Sequence, residues 1–244
     1  MFEMEVPFDH TTKTVRLEDK NFAGTLIGHQ NEFKTDKTQE QLVEDALDHP
    51  FGSPTLEELC AGKKDIVIIS SDHTRPVPSK VTMPIELRRI HAAAPDARVR
   101  ILVATGMHRP STHEELVNKY GEEIVANEEI VMHVSTDDSM MVKVGTLPSG
   151  GECIINKIAA EADLLLAEGF IEPHFFAGFS GSRKAVLPGI ASYKTIMYNH
   201  NGQFVNDKNS RPGNLSHNMI HEDMMAAAEM AGLKFILNVV LNGK

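Results

Sequence analysis

The sequence predicts an α/β protein with a mainly parallel sheet, helices on both of its faces, and a β-hairpin at the N-terminus. Three observations carry this. Short apolar runs without alternation, DIVIIS at 65–70, RVRILVA at 98–104 and DLLLA at 163–167, have the composition of strands buried on both faces. Polar loops and helix-compatible segments separate these runs, which is the order of a parallel sheet with crossover helices. Glu3 to Leu17, by contrast, alternates on either side of a polar Asp9-His10-Thr11-Thr12 stretch, the period-two pattern of an antiparallel pair.

The elements follow in order. After the hairpin, Gln39 to Leu47 spaces its apolar residues as a short amphipathic helix, and Leu56 to Leu59 reads as another. Asp65 to Ser70 is the first buried strand. It empties into Ser71-Asp72-His73-Thr74-Arg75-Pro76, and helix-compatible sequence runs from Lys80 to Ala94. The unit repeats with a strand at Arg98 to Ala104 and a loop at Thr105 to Pro110. Ser111-Thr112-His113-Glu114 then caps a helix reaching about Val125. Ile130 to Val134 and Asp163 to Ala167 supply further strands, with a helix from Ile154 to Ala162 between them. Asn218 to Ala231, rich in Ala and Met, is a helix leading into a strand at Phe235 to Leu241. The last residues, Leu241-Asn242-Gly243-Lys244, run a strand into a dipeptide that normally introduces a partner strand. The reading therefore expects more protein to follow in the native chain.

Composition narrows the function classes. The 244 residues are 41% hydrophobic and 24% charged, ordinary for a globular protein. A net charge of −10 argues against nucleic acid as a partner, because a phosphate backbone demands a cationic face. It leaves room for a small anionic substrate. Cys60 and Cys153 are far apart and outside any CxxC pattern, which points to a reducing compartment. Met1 to Asp9 lacks the apolar core of a signal peptide, and no apolar run approaches the length of a membrane span. The expectation is a soluble cytoplasmic protein.

In parallel sheets, ligands bind outside the carboxyl ends of the strands, where the polar loops lie. Asp72 and Arg75 could bind a carboxylate through the guanidinium fork, with the acid orienting a neighbouring base. The same two residues could equally form a capped loop with a solvent-exposed ion pair. His108, in Thr105-Gly106-Met107-His108-Arg109-Pro110, stands where a general base would be useful, although loop histidines are commonly structural. The segment 168–190, EGFIEPHFFAGFSGSRKAVLPGI, carries His174, Arg183, Lys184 and four glycines. Its Gly178-Phe179-Ser180-Gly181-Ser182 offers amides and hydroxyls suited to a phosphate, yet it is neither a Walker A loop nor a GxGxxG fingerprint. His200 closes a helical stretch, and imidazole suits nickel, copper, zinc or iron.

Together, SDHTRP at 71–76, ATGMHRPSTHEE at 104–115 and EPHFFAGFSGSRKAVLPGIAS at 172–192 resemble the nickel-dependent lactate racemase family, and His200 follows at the family's position. The resemblance spans residues 1–244, which would form the family's N-terminal catalytic domain with its second domain absent. It implies a racemase or epimerase of a 2-hydroxy acid, lactate foremost. It also implies a nickel-bound pyridinium-3,5-bisthiocarboxylic acid mononucleotide held covalently by Lys184, with His200 as the protein's nickel ligand. His108 and His174 would be the acid/base pair, Arg75 a substrate-carboxylate contact and Asp72 its support. Gly178, Ser180, Gly181 and Ser182 would contact the cofactor, which accessory biosynthetic enzymes would supply. A zinc-dependent hydrolase using the same histidines, or a non-catalytic cofactor carrier, are the alternatives.

Overall fold

In the computed structural model, which describes residues 1–9, 11–25, 28–181 and 183–242, two compact units divide the chain, one within Met1–Thr35 and one over Asp36–Leu241. The first holds the expected hairpin. Strand β1 (Phe2–Phe8) pairs antiparallel with β2 (Thr11–Leu17), placing Phe2 opposite Leu17 and Phe8 opposite Thr11. Glu3 stands opposite Arg16, whose Nε donates to it at 2.7 Å. Phe2 stacks on Phe22 with ring centroids 3.6 Å apart.

The second unit begins with α1 (Gln39–Asp48) and α2 (Leu56–Cys60), each opened by a capping box, Thr38 with Gln41 and Thr55 with Glu58. It continues through β3 (Asp65–Ser71), α3 (Ser79–Ala93), β4 (Arg98–Ala104), α4 (His113–Tyr120), α5 (Glu122–Asn127) and β5 (Glu129–Met132). Next come the antiparallel pair β6 (Met141–Thr146) and β7 (Glu152–Asn156), then α6 (Lys157–Ala160) and β8 (Leu164–Phe170). A small hairpin of β9 (Pro173–His174) and β10 (Gly178–Phe179) leads to α7 (Arg183–Val186), α8 (Tyr193–Asn199), α9 (Gly202–Val205), α10 (Met219–Met230) and β11 (Leu233–Val239).

Five strands form the central sheet in the order β11-β8-β3-β4-β5, each parallel to its neighbours. The chain moves outward from β3 to β5 and then returns to build β8 and β11 on the other side. The strand order thus reverses between β3 and β8, and such a switch point leaves a crevice at the carboxyl ends of the two strands.

The unalternating run at 65–70 is explained by burial on both sides. Ile66 and Ile68 pack with Leu47, Met83 and Ile90 on one face, while Val67 and Ile69 pack with Leu187, Ile190 and Met224 on the other. No helix among the described residues is long and apolar enough to cross a membrane.

Two expectations are corrected. The helix expected from His113 to about Val125 breaks at Gly121, whose φ of 90° ends α4 and starts α5. The helix expected over Ile154 to Ala162 is instead the strand β7 followed by one short turn of helix. Residues up to Asn156 are drawn into pairing with β6, and the Asn156 side chain accepts from Ile158 N at 3.0 Å, so the helix starts only at Lys157.

Candidate active site

At the carboxyl ends of β3, β4 and β8 lies a cavity of about 330 Å³, lined among others by Asp72, Arg75, His108, His174, Lys184 and His200. These residues come from four separate stretches of sequence, and the switch point brings them together.

Asp72 follows β3 and is buried, with 1% of its surface exposed. It accepts from Thr74 N at 3.1 Å and Thr74 Oγ1 at 2.6 Å, and its Oδ2 lies 2.6 Å from His108 Nδ1. Burial alone would raise its pKa, but the bonds from Thr74 and His108 outweigh that and hold it below the usual carboxylate range. An ionised Asp72 can only accept, so His108 Nδ1 carries the proton in this contact. The Arg75 guanidinium is exposed and makes no ion pair among the described residues, so the alternative of an Asp72–Arg75 pair in solvent is not what forms.

The loop after β4 is fixed by its backbone. Gly106, at φ 55°, donates its N–H to Gly189 O at 2.9 Å, which ties this loop to the segment carrying Lys184. Beneath it, the fully buried His133 lies 3.0 Å from Ala191 O through Nε2 and 3.2 Å from Asn156 Nδ2 through Nδ1. With both ring nitrogens engaged and its pKa pushed down by burial to about 4, His133 is a neutral structural pin.

The segment after β8 supplies the rest. His174 Nδ1 accepts from Ala177 N at 3.3 Å. Burial, and then the cationic charges of Lys184, His200, Arg75 and Arg183, take its pKa down to about 4. His174 is therefore neutral near pH 7, with its proton on Nε2. Lys184, in the first turn of α7, has its amine pushed down to about 7 by burial and by the neighbouring Arg183 and Arg75. His200, just past α8, is lowered to about 4 by burial and by Lys184, and its buried Nδ1 has no hydrogen-bond partner. Phe176 stands edge-on to both His174 and His200, with ring centroids 4.7 and 5.2 Å away.

The expected phosphate cradle is smaller than the sequence implied. Ser180 and Gly181 line the cavity, whereas Gly178 does not, and Ser182 lies outside the described residues. Gly178 is needed for another reason: at φ 77°, a Cβ there would come within 2.5 Å of Asn214 O. The Ser180 hydroxyl already donates to Phe170 O and accepts from Glu172 N, both at 2.8 Å, bracing the loop.

Two residues are more prominent here than in the sequence. Arg183 donates to the carbonyls of Ala177, Phe179 and Ser180 at 2.8 to 3.2 Å, and through Nε to His221 Nδ1 at 2.8 Å. It clips the β9–β10 loop to α10. Glu168, near the end of the buried strand β8, accepts from Ser70 and Ser79 at 2.5 Å and from Thr82 at 2.6 Å, while Tyr120 donates to Ser70 at 2.7 Å. An acid inside an otherwise apolar strand was the available signal for this network.

Comparison with known proteins matches this arrangement to one family. Residues 8–213 match the model for the lactate racemase N-terminal domain. A lactate racemase of Lactiplantibacillus plantarum is 65% identical over 242 residues, and one of Thermoanaerobacterium thermosaccharolyticum is 49% identical over 242. Each alignment takes in 99% of this chain and 57% of the relative, so the chain spans little more than half the length of these proteins. The lactate racemase apoprotein structure from the latter organism superposes with a TM-score of 0.90 at 48% identity, over 99% of this chain and 56% of that one. A Thermotoga maritima protein with a TM-score of 0.69 at 22% identity shares the fold. The chain belongs to the lactate racemase N-terminal domain family.

Proposed function

We propose that this chain forms the catalytic part of a racemase or epimerase of a 2-hydroxy acid, with lactate the leading substrate. The observation that carries the reading is the convergence of two histidines from different loops, His108 and His174, on one cavity with Arg75, Lys184 and His200.

The residues present fit a covalently held, nickel-bearing pyridinium mononucleotide. Lys184 presents an amine with a pKa of about 7, a nucleophile near neutral pH, and His200 presents a buried imidazole with one unpartnered nitrogen. Lys184 would hold the cofactor, His200 would ligate nickel, and Ser180 and Gly181 would flank the nucleotide. When bound, this group supplies an electrophilic ring carbon able to take hydride from the substrate Cα and return it.

The chain's own residues do the proton work. The α-proton of a 2-hydroxy acid is too weakly acidic for imidazole to remove directly, whereas a hydroxyl proton can leave together with hydride. Nε2 of His108 accepts that hydroxyl proton, and Asp72, bonded to Nδ1, stabilises the imidazolium that results. His174 gives a proton to the oxygen of the inverted product from its imidazolium form, taken up from solvent, while His108 releases its own proton to water, so both rings regain their starting state. In the opposite direction the two exchange roles. Arg75 holds the carboxylate, so the planar 2-oxo acid stays in place between the two steps.

In full-length, cofactor-loaded protein, replacing His108 or His174 by Ala is expected to leave the Lys184 adduct intact by mass spectrometry and to cut racemisation by about 10²-fold or more. Retained activity in either variant would remove the two-histidine assignment. Among the described residues no three His, Cys, Asp or Glu side chains are grouped to hold a metal, so a zinc hydrolase finds no ligand set in this site. A non-catalytic carrier would load cofactor yet leave enantiomerically pure lactate unchanged. Cys60 and Cys153 are free and buried, with burial pushing both thiols up to about 11, which suits the reducing cytoplasm where we place the protein.

A further inference from the structure

A second cavity, of about 450 Å³, lies between the β3–α3 loop and α4, and shares Arg75 and Val77 with the first. Its wall is cationic. Arg75, Lys80 and Lys119 all line it, and none of the three makes an ion pair among the described residues. The one acid on the wall, Glu115, is engaged elsewhere. Arg109 grips both of its oxygens at 2.8 and 2.5 Å, Thr112 N adds a bond of 2.8 Å, and these contacts hold its carboxyl down to about 2. His73 stands 3.5 Å from Glu115, with its other nitrogen 3.0 Å from Ser111 Oγ.

Lys119 is the most telling of these groups. Its Nζ finds Ser71 Oγ at 3.3 Å and stands 5.7 Å from the Tyr120 ring centroid. Glu168 and Asp72 lie behind it and favour its charge, but burial disfavours the charge more, and the pKa is lowered. Both of those carboxylates already accept bonds from other groups, Glu168 from three hydroxyls and Asp72 from Thr74 and His108. A partly buried ammonium without a contact counter-ion is costly unless something fills the space in front of it. The first turn of α3 brings Ser79 and Lys80 to the same wall, adding the positive end of a 15-residue helix.

We propose that this second cavity is a binding site for a small oxyanion, a carboxylate or a phosphate, held by Arg75, Lys80 and Lys119. An oxyanion has several acceptor oxygens and can meet the planar guanidinium and two ammonium groups together. Because Arg75 borders both cavities, an anion in the second competes for the guanidinium that would hold a carboxylate in the first. The coupling is reciprocal by linkage. The inference stands apart from the racemase reading, since it requires neither cofactor nor turnover.

Pulse acetylation of this chain with acetic anhydride, read lysine by lysine by peptide mass spectrometry, tests it. Inorganic phosphate and lactate are titrated separately, with sodium chloride holding the ionic strength constant. Expected is a saturable, severalfold protection of Lys119 and Lys80, with the exposed Lys208 unaffected. Whichever anion protects identifies the source of the oxyanion, and protection by both marks a site selective for charge and shape alone. Protection at Lys119 no greater than at Lys208, or confined to Lys184 in the other cavity, would overturn the proposal. A Lys119→Met variant gives the second check. Its unfolding temperature should not fall, since a costly buried charge is removed, while saturable protection at Lys80 disappears; protection of Lys80 that persists counts against a shared site.

Discussion

Lys184 illustrates how much of a residue's chemistry is set by what surrounds it. An ordinary lysine amine titrates near ~10.4, whereas this one is taken down to about 7 by burial and by Arg183 and Arg75. Dinitrophenylation of Lys184 followed from pH 6 to 10 should therefore show a midpoint near 7, with surface lysines still rising at pH 10; a midpoint shared with the surface lysines would contradict the environment described. Buried histidines give a second prediction with the opposite practical consequence. His133 and His174 are held near 4, while in the unfolded chain each titrates near 6.5. Between those values the unfolded state binds more protons than the folded one, so stability is present above about 6.5 and is lost as pH falls toward 4. The urea midpoint should drop steadily between pH 7 and 4.5, and His133→Asn should flatten that dependence by up to one proton. At this scale the sequence was informative about which loop residues reach the cavity, as for His108 and Arg75, which follow buried strands and line it. It was silent where a role depends on distant neighbours. Nothing near Arg183 in sequence announces that its guanidinium will bond three carbonyls and His221.

Elements were legible in proportion to how much of their pattern is local. The buried strands β3, β4 and β8 declare themselves because burial on both faces removes alternation, and the capping boxes of α1, α2 and α4 sit in the sequence as written. The β6–β7 ribbon was missed, although Leu147-Pro148-Ser149-Gly150-Gly151 is a turn between two apolar runs. CIINKIAA also satisfies helical spacing, and only pairing with Met141–Thr146 decides in favour of the strand. The packing between elements is testable at Gly189, which follows Pro188 after α7. A Cβ there would lie 2.2 Å from Ala185 O and 2.9 Å from Ala104 Cβ, both part of the framework that seats α7 against β4. Gly189→Ala should cost about 1–3 kcal/mol by overpacking. Because relief requires α7 to move, it should also shift the Lys184 titration midpoint upward, toward that of a solvated amine. Gly202→Ala, where nothing lies within 4 Å, is the matched control and should leave both the unfolding temperature and that midpoint unchanged.

At the scale of the whole molecule, the reversal of strand order between β3 and β8 is what turns separate polar loops into a site. Asp72 leaves one strand of that pair, the segment bearing His174 and Lys184 leaves the other, and His108 arrives from β4 next door. A sequence can place each loop after its strand, but it does not state the lateral order of strands, so the convergence became visible only in three dimensions. That convergence makes a specific demand on the chemistry. Two imidazoles flanking one substrate can exchange hydroxyl protons with solvent freely, yet neither is basic enough to remove hydrogen from Cα as a proton. If hydrogen leaves Cα as hydride and returns to the opposite face, it never passes through a group that equilibrates with water. Lactate deuterated at Cα, racemised by the protein at the full length of its relatives and loaded with cofactor, should then keep its deuterium in the inverted enantiomer. Mass spectrometry of the two separated enantiomers reads the result directly. Loss of Cα deuterium to water at a rate matching inversion would mean direct proton abstraction, and would remove the hydride step even with His108 and His174 confirmed as essential.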